Sequence, residues 1–218
     1  MVSLSSPPLS LTAVVLAGGS ARRLDGIDKA LIEVNGRTLL DHAIGAWRGL
    51  CPVVVVGPAR PTSESDLVAW CREQPPGGGP LAGVAAALRV VTTDLVALCA
   101  VDQPLLGAAI AELIEAAQRA VSGDADGAWL QDSTGQAQPL ASCVRRASLT
   151  AAMPFDPGDG SVKAVLASLN LALVTVPDDV LRDVDTADDL RRIRILMMPK
   201  ESEVDESPRV TSHEGEAR

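Results

Sequence analysis

The sequence predicts an α/β fold with a mostly parallel central sheet. Short apolar runs at Ala13–Ala17, Pro52–Val56 and Asp94–Val101 read as strands, and the last is apolar nearly throughout, as in sheets covered on both faces. Stretches of helical spacing follow them. Hydrophobic residues make up 47% of the 218, enough for a sizeable core, and aromatics only 2%, so that core must be Leu, Val, Ala and Ile.

Taken in order, residues 1–10 are polar, contain Pro7–Pro8 and read as a loose lead-in without a signal peptide. The first strand stops at Gly18–Gly19. Ala30–Val34 reads as a short extended piece and Asn35–Gly36 as a turn. Thr38–Trp47 carries Leu39, Leu40, Ala43, Ile44 and Trp47 at helical spacing, and places His42 as a surface or packing residue. Gly57–Pro58 ends the second strand. Residues 62–72 read as a helix and a short strand. Glu73–Gly83 is too rich in Gly and Pro for a regular element, and it runs into a helix over Leu81–Val91.

The third strand ends at Asp102-Gln103-Pro104. Ala108–Val121 is an amphipathic helix. Gly127–Gln131 and Gln138–Val144 read as two strands that lean over the site as a second half. Short helices follow at Ala147–Met153 and from a Ser161 cap to Leu169, with Lys163 in the latter's first turn and a strand at Leu171–Val176 behind it. Thr186 with Asp189 predicts a cap on a last helix, Ala187–Leu196. Residues 199–218 are charged and lack apolar periodicity, so they read as a disordered acidic tail.

The chemistry gathers behind the first strand. Gly18 and Gly19 let backbone N–H groups approach a ligand closely, and such groups make an anion nest. Arg22, Arg23 and Lys29 add positive charge around it, so the natural ligand is a polyphosphate. Neither G-x-x-x-x-G-K-[ST] nor G-x-G-x-x-G occurs, which sets aside two familiar phosphate loops. The second Gly-rich loop runs into the helix that starts at Leu81, and a loop of this kind can offer free N–H groups to a ligand. Asp102 stands at the carboxyl end of a central strand, where α/β sheets bind ligands. It is a candidate Mg²⁺ ligand, because that cation takes one or two carboxylates plus substrate phosphates; capping the following helix is the alternative use.

The string L-A-G-G-x-x-x-R-x-x-G-x-D-K-A-L, from Leu16 to Leu31, resembles the opening motif of nucleotidyltransferases that make activated sugars and cofactors. Among these it is most similar to the MobA-like molybdenum cofactor guanylyltransferases. Four motifs stand in that family's order within residues 12–196: the glycine loop with Asp28–Lys29, G-P-L-A-G at Gly79–Gly83, D-x-P at Asp102, and a string ending at Asp185. The resemblance implies a Rossmann-like three-layer α/β/α nucleotidyltransferase fold. It implies a single domain over 11–198, with a nucleotide-binding half at about 11–104 and an acceptor-binding half at about 105–198. GTP would be the donor, molybdopterin-bound molybdenum the acceptor and Mg²⁺ the cofactor.

Carried over residue by residue, Leu16, Ala17, Gly18, Gly19, Lys29, Glu73, Gly79, Pro80 and Leu81 would contact the nucleotide. Glu73 would accept from the guanine edge in place of a shorter Asp. Arg23, Lys29 and Asp102 would be catalytic. Asp102 and Asp185 are the metal candidates, with Asp185 equally readable as the entry to the last helix. Two positions depart from the family pattern: Gly57 stands for an Asn and Asp25 for a Gly. They keep open cytidylyl transfer to the same pterin, sugar-phosphate nucleotidyl transfer, and a catalytically idle nucleotide-binding regulator or assembly protein.

A net charge of −9 argues against sequence-independent nucleic-acid binding. No run of apolar residues is long enough to span a membrane. Cys51, Cys71, Cys99 and Cys143 are scattered without C-x-x-C, which points to buried hydrophobes in a reducing cytoplasm. The expected partners are molybdoenzymes or cofactor-delivery proteins, and the expected state is a monomer or weak homo-oligomer.

Overall fold

The three apolar runs lie side by side at the centre of one sheet. The computed structural model describes residues 9–18, 20–21, 27–158 and 160–198. Its strands are β1 (Leu11–Leu16), β2 (Ser20–Ala21), β3 (Ile27–Asp28), β4 (Glu33–Val34), β5 (Arg37–Thr38), β6 (Val53–Val56), β7 (Val68–Cys71), β8 (Leu95–Ala100), β9 (Gly127–Gln131), β10 (Ala137–Arg145) and β11 (Leu171–Thr175). Its helices are α1 (Leu39–Gly45), α2 (Gly79–Leu88), α3 (Ile110–Ser122), α4 (Arg146–Ala152), α5 (Val162–Ala167) and α6 (Ala187–Leu196).

The main sheet has seven strands in the order β11-β9-β10-β8-β1-β6-β7. β10 runs antiparallel to both neighbours, and the other pairings are parallel. Side chains alternate across a strand, so β1, β6 and β8 each feed two cores. Ala13, Val15, Val53, Val55, Ala97 and Cys99 join α1 and α3 on one face, together with Ile193 of α6. Val14, Leu16, Val54, Val56, Val96 and Leu98 join Leu81, Val84, Leu149 and Val165 of α2, α4 and α5 on the other. The result is the expected three-layer α/β/α architecture. The chain passes from β1 to β6 on one side and returns to β8 on the other. Ligands bind where the order reverses, beyond the carboxyl ends of β1 and β8.

Several boundaries differ from the sequence reading, for local reasons. Ala30–Val34 is not continuously extended. Asp28 accepts a hydrogen bond from the Ala30 N–H and winds Lys29–Leu31 into a 3-10 turn, leaving Glu33–Val34 as the strand. The helix expected within 62–72 is one 3-10 turn, Ser65–Leu67. α2 starts at Gly79 rather than Leu81, because Pro80 sits in its first turn, where a missing N–H costs nothing. A 3-10 turn, Leu106–Ala109, precedes α3.

The β9–β10 pair belongs to the main sheet, with β10 inserted between β9 and β8. The Thr186–Asp189 capping box is present. The four cysteines are free, two of them only half-buried. Burial pushes the Cys51 thiol up to about 11 and those of Cys99 and Cys143 to about 12. Among the described residues no helix is long and apolar enough to cross a membrane.

Candidate active site

At the end of β1, Ala17 is buried and its N–H donates to the Val56 carbonyl at 2.9 Å, which ties the first loop to β6. Gly18 is exposed, and a Cβ there would meet nothing within 4 Å, so this glycine keeps space open for a ligand. Gly57 differs. Its φ is +147°, and a Cβ would lie 3.2 Å from the Ala17 carbonyl oxygen. A residue with a Cβ would be strained at this position.

Lys29 follows directly. Asp28 caps its turn and also accepts from Arg60 Nε at 2.6 Å, so the turn is pinned from two sides. The Lys29 ammonium donates to Asp102 Oδ2 at 2.7 Å and to Asp185 Oδ1 at 2.5 Å. Burial works against its charge, but these two bonds outweigh it and hold the lysine above its ordinary value. The Val184 N–H donates to the Asp102 carbonyl at 2.9 Å, and the Thr186 cap fixes the chain just beyond. Two aspartates far apart in sequence therefore face one point.

Asp183 completes this corner. Burial first, and the Asp102 carboxylate second, push it up to about 6, against a hydrogen bond from Gln103. Gln103 is itself buried, and its Oε1 has no partner among the described residues.

The second loop supplies the other wall. Glu73 Oε1 accepts from the Gly77 N–H at 2.9 Å, which folds the loop around its carboxylate. Gly78 precedes α2 without a side-chain cap, so the first N–H groups of the helix are left for a ligand. Leu81 is 2% exposed and packs in the core, so only its backbone is available there.

These pieces enclose a cleft of about 380 Å³. Its apolar walls are Leu16, Val56, Pro80, Ala100, Val101 and Leu140, and its polar groups are Lys29, Glu73 and Asp102. Gly18, Gly77, Gly79 and Gly83 complete the lining. A concave, mostly apolar site with a few converging polar groups suits a small-molecule ligand. Leu16, Gly18, Lys29, Glu73, Gly79, Pro80 and Asp102 thus meet in one cleft, Asp185 joins through Lys29, and Ala17 and Leu81 lie in the core behind it. Gly19, Arg22, Arg23 and Asp25 fall outside the described residues. His42 Nε2 is 2.9 Å from the Val34 carbonyl oxygen, a packing role.

Sequence reasoning missed Asp183, Arg60 and Leu140. Asp183 opens the string that ends at Asp185, which was a usable signal. Leu140 lies within an irregularity in β10, where the register with β9 shifts between Ala137 and Ser142. Bulges of this kind re-aim side chains next to sites.

The carboxylate pair fits a hard divalent cation. Both aspartates already hold one positive group between them, and both offer only oxygen. Among the described residues no three His, Cys, Asp or Glu side chains converge on a metal position, and a divalent cation held by two carboxylates would complete its shell with water and substrate oxygens.

Residues 13–174 match the model of the MobA-like NTP transferase domain family. A molybdenum cofactor guanylyltransferase of Acidiphilium cryptum is 44% identical over 87 residues, which are 36% of this chain and 42% of that protein. The chain therefore spans less than half the length of that relative. One from Shewanella putrefaciens is 29% identical over 176 residues, 78% of this chain and 88% of that one. The crystal structure of a molybdopterin-guanine dinucleotide biosynthesis protein A from Archaeoglobus fulgidus superposes with a TM-score of 0.60 at 19% identity, covering 85% of this chain and 97% of that one.

Proposed function

The chain belongs to the family of MobA-like NTP transferase domains, and on that premise we propose that it transfers GMP from GTP to the phosphate of molybdopterin-bound molybdenum cofactor, releasing pyrophosphate. The observation that carries this reading is the meeting of Gly18, Lys29, Glu73, Gly79 and Asp102 around one cleft, from three separate stretches of chain.

The acceptor phosphate oxygen attacks the α-phosphorus of GTP. A new P–O bond forms, the bond to the β-phosphate oxygen breaks, and pyrophosphate leaves with the negative charge. The nucleophile is already anionic, so no strong base is needed. Catalysis of this kind is positioning and charge stabilisation.

The glycine loop at Gly18–Gly19 and the first turn of α2 present N–H groups to the phosphates. Lys29 and Arg23 balance charge on the α-phosphate and the departing pyrophosphate. Glu73 accepts from the N1–H and amino group of guanine, a donor pair adenine lacks. Asp102 and Asp185 would hold Mg²⁺, which neutralises phosphate charge when bound.

The test is pyrophosphate release from GTP and molybdenum cofactor, with Asp102→Ala as the control. The variant should fold normally and lose about 10²–10³-fold or more in kcat. Unchanged turnover removes Asp102 from the mechanism, and turnover with CTP in place of GTP moves the product to the cytosine dinucleotide.

A further inference from the structure

We propose that the Lys29 ammonium occupies the cation position between Asp102 and Asp185 in the nucleotide-free protein, and that a divalent cation enters only as Lys29 leaves for the triphosphate. The inference rests on the guanylyl-transfer reading in one respect, that these two carboxylates are the metal ligands.

The geometry is direct. One nitrogen lies 2.7 Å from Asp102 Oδ2 and 2.5 Å from Asp185 Oδ1. The side chains of Lys29 and Asp102 are 17% and 19% exposed, so water screens that contact weakly, while Asp185, at 49%, meets the ammonium from the solvent side. A divalent cation sits closer still to its oxygen ligands, at about 2.0–2.1 Å for Mg²⁺. It would therefore take nearly the same point in space as the ammonium. Two cations cannot share that point. The backbone bond from Val184 to Asp102 holds the two turns together when the ammonium moves, so the carboxylates stay paired.

Lys29 also lines the cleft. Its stem is long and flexible, and a triphosphate would give it a new anionic partner. The nucleotide then does two things at once: it draws the ammonium off the carboxylates and brings phosphate oxygens to complete the metal's coordination. Metal and nucleotide should bind cooperatively, and metal alone should bind weakly. If the ammonium fills the position nine-tenths of the time, metal affinity is reduced about tenfold.

Manganese serves as the probe, with free Mn²⁺ followed by electron paramagnetic resonance. Without nucleotide, Lys29→Gln and Lys29→Met should bind Mn²⁺ about tenfold or more tighter than the unsubstituted chain. Lys29→Gln keeps a hydrogen-bond donor beside the aspartates and guards against loss of fold. Equal affinities in the unsubstituted chain and both variants overturn the proposal. A second readout needs no variant: saturating Mn²⁺ should raise acylation of Lys29 by a soluble amine reagent, scored by mass spectrometry. Unchanged acylation also overturns it.

Asp102→Asn separates the two ways of being wrong. If it abolishes Mn²⁺ binding while the lysine variants match the unsubstituted chain, only the displacement fails. If it leaves Mn²⁺ binding with a GTP analogue intact, the carboxylate pair is not the metal site and the reading beneath fails.

Discussion

Glu73 shows how a single carboxylate can set base choice. One of its oxygens is engaged by the Gly77 N–H, which shapes the loop, and the residue lines the cleft. A base that lacks the N1–H and amino donor pair would forfeit the hydrogen bonds this half-buried carboxylate can accept. Glu73→Ala should therefore cut the preference for GTP over ATP by about 10- to 100-fold, with little change in fold. Competition binding of the two nucleotides checks this, and an unaltered preference would place guanine recognition elsewhere. Gly57 belongs to the same scale. At φ +147° with the Ala17 carbonyl 3.2 Å from a Cβ, the position is closed to side chains. Restoring the family's residue as Gly57→Asn should lower stability by about 1–3 kcal/mol, measured by urea denaturation. A variant as stable as the parent would mean that the loop adjusts freely.

At the scale of elements, Asp41 is the clasp between α1 and the approach to β7. Its carboxylate accepts from Thr38 Oγ1 at 2.9 Å, Thr62 Oγ1 at 2.6 Å and the Ser63 N–H at 2.9 Å. Burial raises its pKa, but these hydrogen bonds outweigh burial and hold it below the ordinary value of 3.8. A depressed acid contributes stability that is present above its unfolded value and lost as pH falls through the folded one. Asp41→Asn should thus cost about 1–3 kcal/mol at pH 7, and the gap should close as pH drops below about 4. Thermal unfolding across pH reads this, and a gap independent of pH would assign the loss to packing. Glu64 beside it, with a side chain 2% exposed, pairs with both Arg37 and Arg48. These contacts set the base of the sheet edge on which β7 and the Glu73 loop stand.

For the whole molecule, much of the site was legible because the fold places strand ends together. Gly18 and Asp102 follow buried apolar runs directly, so finding β1 and β8 found them. Lys29 was legible as positive charge beside the glycine loop and Glu73 only through motif order, since no periodicity marks either. Asp183 and Arg60 were not read, because their roles depend on contacts between stretches remote in sequence, such as Arg60 with Asp28. The direction of β10 was equally hidden: an apolar run of strand length reads the same whichever way it pairs. Core and cleft are one object here, with Leu16, Val56 and Leu140 belonging to both.

On the proposed function, this cleft binds a guanine nucleotide in order to transfer it. Calorimetric titration of the full chain with GTP, CTP, ATP and UTP, each with and without Mg²⁺, tests that most directly. GTP should bind in preference to the other three, and Mg²⁺ should strengthen its binding. Absence of binding by any nucleotide, or a clear preference for another base, would contradict it.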